Sequence, residues 1–130
     1  MIDTSAFIAA LIEDHEFHRI ARPSLTATTR VPVIVMAEAF SQLRRTFGQS
    51  ARSAAQLLGP WTGAKQLIPT TAEAAAAVLA RTVELDLGGN IHDALIAQAC
   101  KDADVSLATL DGRQHRIALA LGVRSTYLVA

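Results

Sequence analysis

The stretch VSLATLDGRQHRIALALG, residues 105–122, decides the fold. Val105 to Leu110 is a short apolar run with β-branched content, the composition of a buried strand, and Asp111 closes it. From Gly112 the pattern changes to helical spacing and runs to Gly122, a residue suited to ending a helix. A strand thus gives way to a helix at a carboxylate. The same order appears at the start, MIDTSAF, where Met1 to Asp3 reads as a strand. A helix then runs from about Ser5 to Ile12, with Ser5 as its N-cap.

Working outward, strand-like and helix-like segments alternate, as expected of an α/β domain with a mostly parallel sheet covered by helices. DHEFHRIAR (14–22) reads as a short helix stopped by Arg22-Pro23, and LTATTR (25–30) as the second strand. In VPVIVMAEAFSQLRRTFG (31–48), Pro32 suits a first helical turn and Val33, Met36, Phe40 and Leu43 fall on one face. QSARSAAQLLGPW (49–61) is a helix closed by Gly59-Pro60, and KQLIPTT (65–71) is the third strand. TAEAAAAVLARTVELDLGGN (71–90) reads as one long helix, opened by Thr71 and Glu73 and closed by Gly88-Gly89. IHDALIAQACKDAD (91–104) is a helix with Ile91, Leu95, Ile96 and Ala99 inward, and VRSTYLV (123–129) is the last strand.

Composition sets the bounds. A chain of 130 residues that is 51% hydrophobic can bury a core as one domain, residues 1–130. No apolar run approaches the roughly 20 residues of a bilayer span. The first residues lack the basic flank of a signal peptide, so a cytoplasmic location is expected. Cys100 is the only cysteine, which excludes an internal disulfide and a cysteine-rich zinc site. Twelve bases balance 12 acids, which argues against a protein that passively coats nucleic acid.

Four acids resist the reading of a solvated helix face. Asp3 and Asp111 end strands, at the carboxyl edge where open parallel sheets bind ligands. Asp93 lies in a first helical turn, where the helix dipole favours its ionised form. Glu38 lies inside the apolar run VIVMAEAF, with no base before Arg44 on its C-terminal side. Taken singly, Asp3 serves as a cap, Asp93 as a dipole partner and Asp111-Gly112 as a turn; only Glu38 demands a partner or a metal. If all four share one crevice at about 5 Å, each of six pairs repels by roughly 3 kcal/mol at an effective dielectric near 20. Their sum exceeds the roughly 5–15 kcal/mol that stabilises a whole domain. Such a cluster must take up protons or hold cations, and all-oxygen donors suit Mg²⁺ or Mn²⁺. Setting the four aside leaves 8 acids against 12 bases, an outer surface suited to a polyanion.

MIDTSAF, MAEAFSQLRR, IHDALIAQAC and LATLDGR, in this order, resemble the four acidic motifs of PIN-domain ribonucleases, above all the VapC toxins of toxin-antitoxin pairs. The resemblance covers the whole chain. It implies a PIN-like α/β/α sandwich with a roughly five-stranded parallel sheet, and Mg²⁺- or Mn²⁺-dependent endonucleolytic cleavage of RNA. It also implies a homodimer and a cognate VapB-like antitoxin that wraps the toxin and can push an arginine into the acidic pocket. Carried over by position, Asp3, Glu38, Asp93 and Asp111 match the acidic quartet. Thr4 and Ser5 match the small hydroxyl residues after the first acid, and Thr109 the one before the last. Gly112 and Arg113 stand where the family often carries a second acid.

On this reading Asp3 and Asp93 are the first metal ligands, Asp111 the next, and Glu38 acts directly or through water. A metal-activated water then attacks the phosphodiester, arresting translation or growth. Arg44, Arg45, Arg113 and Arg116 are the candidates for RNA phosphate contacts, each weighed against a solvated arginine. HEFH (15–18) lacks the spacing of a zinc helix, and Trp61, Tyr127 and the phenylalanines are too scattered to suggest a base-stacking platform. A phosphoacceptor signalling domain would need adjacent early acids and a lysine beyond Lys101. A haloacid-dehalogenase-type phosphatase would need an acid at Ser5. A catalytically silent PIN-like module that binds a partner is the remaining alternative.

Overall fold

The computed structural model describes residues 1–85 and 90–129. Along them run α1 (Thr4–Leu11), α2 (His18–Ala21), β1 (Val31–Pro32), α3 (Val33–Arg45), α4 (Ala51–Leu58) and β2 (Leu67–Ile68). There follow α5 (Ala72–Ala80), α6 (Thr82–Leu85), α7 (Ile91–Ala103), β3 (Leu107–Thr109), α8 (Gly112–Ala120) and β4 (Ser125–Tyr127). Short 3₁₀ turns, Arg22–Ser24 and Gly59–Trp61, carry Pro23 and Pro60 near their starts, where a missing N–H is no loss.

Every strand pairing is parallel. β3 is flanked on one side by β4, with Leu107 opposite Ser125 and Thr109 opposite Tyr127. On its other side a bridge joins Ile2 to Ala108, made by the Ala108 amide on Met1 O at 3.0 Å and the Asp3 amide on Ala108 O at 3.2 Å. β1 pairs with β2 separately, Val31 opposite Leu67. Among the described residues, then, the short parallel segments pair in two groups, where one sheet of about five strands was expected. Each segment is only a few residues long, and in β1 Pro32 has no amide hydrogen to extend the ladder. The core packs Ile2, Phe7, Ile8, Val35, Leu43, Ile96, Leu107 and Leu121 together. Phe7 meets Trp61 edge to face, with centroids 5.6 Å apart. No helix among the described residues is long and apolar enough to cross a membrane.

Local chemistry moved several boundaries. The cap of α1 is Asp3, not Ser5: the Asp3 carboxylate accepts the Ala6 amide at 3.0 Å. LTATTR is not a strand. The Thr26, Thr28 and Thr29 hydroxyls bond to one another and to nearby backbone, closing a turn, and the strand begins after it at Val31. The expected long helix stops at Ala80 and resumes at Thr82, where the Thr82 hydroxyl donates to Leu79 O at 3.1 Å. Its expected Gly88-Gly89 end lies outside the described residues.

On α3 the buried face is Val35, Ala39 and Leu43, spaced by four. Val33 and Phe40, expected inward, are 40% and 37% exposed. With Met36 they line a groove of about 740 Å³ shared with Ala55 and Leu58 of α4 and Leu67 of β2. On α7 the small residues Ala94, Ala97 and Cys100 join Ile96 in the interior, while Ile91 and Leu95 are half-buried.

Candidate active site

The parallel arrangement carries Asp3 and Thr109 to the same end of adjacent segments, with α1 and α8 starting immediately beyond. Asp111 caps α8, accepting the Arg113 amide at 2.9 Å, just as Asp3 caps α1. Asp93 sits in the first turn of α7 and Glu38 midway along α3.

Hydroxyl groups wire the junction. Thr109 Oγ1 donates to Asp3 Oδ2 and accepts the Asp111 amide at 2.9 Å. Ser5 Oγ donates to Asp3 Oδ1 at 2.8 Å and accepts the Leu110 amide at 3.1 Å. Each hydroxyl has its own acceptor role filled by backbone, so its proton is directed at Asp3. One residue along, Thr4 Oγ1 donates to Glu38 Oε1 at 2.6 Å, and His92 Nδ1 stands 3.3 Å from Glu38 Oε2. From α8, Gln114 donates its amide to Asp93 O at 2.9 Å, tying the two acid-bearing helix starts together.

Asp3 is 3% exposed, whereas Glu38 and Asp93 are half-buried and Asp111 is exposed. Burial pushes the Asp3 carboxyl up from 3.8 to about 6, against the pull of hydrogen bonds from Thr109, the Ala6 amide and Ser5, while the Asp111 charge adds to the rise. Asp93 is also raised, first by burial, then by the charges of Asp111 and Glu38; Arg113 and His92 oppose this. The four carboxyl groups therefore sense one another in a chain, Asp3 to Asp111 to Asp93 to Glu38.

The candidate arginines separate. Arg113 acts on Asp93 and donates to Asn90 Oδ1 at 2.9 Å, and Arg116 lies with its guanidinium over Gly112. Arg44 and Arg45 occupy the last turn of α3, roughly 9 Å along the helix from Glu38. The Arg44 guanidinium donates away from the acids, to Gln49 O at 2.9 Å. Three residues near the acids had no part in the sequence-based site: His92, Asn90 and Gln114. Gln114 carried a usable signal, since it shares the spacing of Ile117, Ala118 and Leu121 and is thus a polar group on a buried face.

A divalent cation suits these donors in kind. They are oxygens, their negative charge is partly buried, and among the described residues no Lys or Arg lies within ion-pair distance of Asp3, Asp93 or Asp111. They stand as neighbours and not as a closed cage: among the described residues no three His, Cys, Asp or Glu side chains are set to hold an ion.

Short parallel segments, two of which run into carboxylates with helices starting beyond them, define an α/β protein. The family model of the PIN domain matches residues 1–119, and the chain belongs to that family. PIN domains share an α/β/α fold and are generally metal-dependent nucleases. No curated protein matches the chain.

Proposed function

We propose that this PIN-domain protein is a VapC-type endoribonuclease, the toxin of a type II toxin-antitoxin pair, acting on RNA with Mg²⁺ or Mn²⁺. The observation that carries the reading is Asp3, a carboxylate 3% exposed and held by three donors, with no Lys or Arg within ion-pair distance among the described residues. A buried charge with no counter-ion calls for a proton or a metal. Asp3 and Asp93 would be the first ligands, then Asp111, with Glu38 acting directly or through water. A bound divalent cation would neutralise phosphate charge and lower the pKa of an attacking water. The chain's own residues orient the donors: Thr109 and Ser5 aim Asp3, Thr4 aims Glu38, and Gln114 holds the start of α7. Arg113, which acts on Asp93, and Arg116, whose guanidinium lies near Gly112, would make the phosphate contacts; Arg44 and Arg45 would meet RNA only farther along the strand.

The apolar groove with exposed Val33 and Phe40 supports a protein partner, for which a VapB-like antitoxin segment is the proposed occupant. A homodimer completes the proposed assembly. The open spacing of the acids favours one second reading, a PIN-like module that binds a partner and cleaves nothing.

One assay separates them. Purified protein should cut RNA with Mg²⁺ or Mn²⁺ and stop with EDTA, and Asp93→Asn should be inactive. Equal cleavage by wild type and Asp93→Asn at limiting metal would remove the site assignment; no cleavage by the wild type with either metal would favour the silent module.

A further inference from the structure

Beside Asp111, the start of α8 and the end of β4 assemble a ring pair that the acid site leaves unexplained, next to Arg116, already proposed for a phosphate contact. The Tyr127 hydroxyl and one Arg116 guanidinium nitrogen each lie 3.5 Å from the point where a Cβ on Gly112 would stand. Behind Tyr127, the His115 ring is stacked on it, with centroids 5.6 Å apart and planes 21° from parallel. Ser125 Oγ fixes His115 through Nδ1 at 2.8 Å. Both rings are partly exposed, and Arg116 is exposed. The β3–β4 register sets Tyr127 directly opposite Thr109, the residue that donates to Asp3. A ring pair and a guanidinium thus sit across β3 from the most buried acid and beside Gly112, the residue after Asp111.

We propose that the Tyr127–His115 pair, brought together by the fold although the aromatic residues are scattered in sequence, is a stacking platform for one base of a single-stranded RNA, with Arg116 on the neighbouring phosphate. This rests on the nuclease reading and adds to it the side of the site along which the strand runs. The chemistry favours nucleic acid over an acidic peptide. A peptide carboxylate would meet Arg116 but gain nothing from the rings. A base has a π-face for the stack, and its phosphate matches the guanidinium. Single strands expose that face, whereas a duplex hides it. With the four clustered acids set aside, 12 bases face 8 acids, so a modest positive field attracts the strand and short-range contacts of this kind fix it in place.

The test uses the full chain carrying Asp93→Asn, with Mg²⁺, and a fluorescein-labelled single-stranded RNA octamer read by anisotropy. Adding Tyr127→Leu should weaken binding about tenfold, while Tyr127→Phe stays within about twofold. The octamer is then scanned with one abasic nucleotide at a time. At one position the parent should lose affinity and the difference between parent and Tyr127→Leu should vanish, which a merely structural tyrosine would not produce. Should Tyr127→Leu fail to fold, Arg116→Ala decides: it should bind more weakly and lower the slope of log affinity against log salt by about 0.7. The proposal is overturned by a folded Tyr127→Leu that binds like its parent, by a loss independent of every abasic position, by an unchanged salt slope in Arg116→Ala, or by a parent that binds no octamer. Cleavage by the wild type is read separately, so a failed platform and a failed nuclease reading give different results.

Discussion

Removing the charge of Asp3 should stabilise the metal-free protein at neutral pH. A carboxyl moved from 3.8 to about 6 by burial is ionised at pH 7 against a penalty of about 3 kcal/mol, at about 1.4 kcal/mol per pH unit. The sign follows from the proton balance. Between the unfolded and folded values the native state holds the extra proton, so the stabilisation is complete below about pH 4 and is lost as pH rises through about 6. Asp3→Asn keeps an oxygen for the Ala6 amide. Its new NH₂ can donate to the Thr109 hydroxyl, whose proton can turn toward Asp111 O, 3.4 Å away. In EDTA at pH 7, Asp3→Asn should therefore unfold about 9–15 °C higher than wild type, at roughly 3–5 °C per kcal/mol for a domain of this size. The difference should shrink toward zero near pH 4. Mn²⁺ at a hundred times its dissociation constant should return about 2.7 kcal/mol to the wild type and nothing to the variant. Circular dichroism melts from pH 4 to 7.5, with and without metal, read all of this. Parallel melting curves for the two proteins across that range would refute the claim that Asp3 is a buried, uncompensated charge.

Three further outcomes test the surroundings. Thr109→Val leaves the Asp111 amide unpaired and removes a donor from Asp3; it should cost about 1–3 kcal/mol in urea unfolding and raise the Asp3 titration in an NMR carboxyl series, whereas Thr109→Ser should do neither. Burial pushes the Cys100 thiol up to about 11, so the native protein at pH 8 should leave Ellman's reagent uncoloured until guanidinium exposes one thiol. Gln114 donates to Asp93 O, while its own Oε1 is buried with no hydrogen-bond partner among the described residues. Gln114→Leu removes both the bond and the orphan, and should change unfolding free energy by less than about 1 kcal/mol; Gln114→Glu, placing a charge there, should be clearly worse in the same denaturant titration.

The acids at the strand–helix junctions were legible because their signals are local: an apolar run, a carboxylate, then helical spacing. Register and hydroxyl wiring were less so. Ser5 has a good capping side chain, yet Asp3 takes that role because the helix is capped two residues earlier, freeing the Ser5 hydroxyl to reach Asp3 and Leu110. The threonines of LTATTR favour a strand by propensity, but their hydroxyls can bond one another only in a turn. The Val33–Phe40 stripe has the right period and the wrong partner, since the core beside α3 admits Val35 and Ala39 and leaves the larger side chains over α4.

What no spacing reveals is why Thr109 belongs with Asp3, 106 residues away. Ser5 follows its acid by two and Thr109 precedes its own by two, and neither interval alone selects a partner. The selecting feature is the parallel bridge between Ile2 and Ala108, which runs both segments in one direction and ends them together. Antiparallel pairing would send Asp3 and Asp111 to opposite ends, and each would then be only the helix cap that its own neighbourhood suggests. The candidate site is therefore a consequence of strand direction, with local sequence supplying the carboxylates and the fold supplying their company.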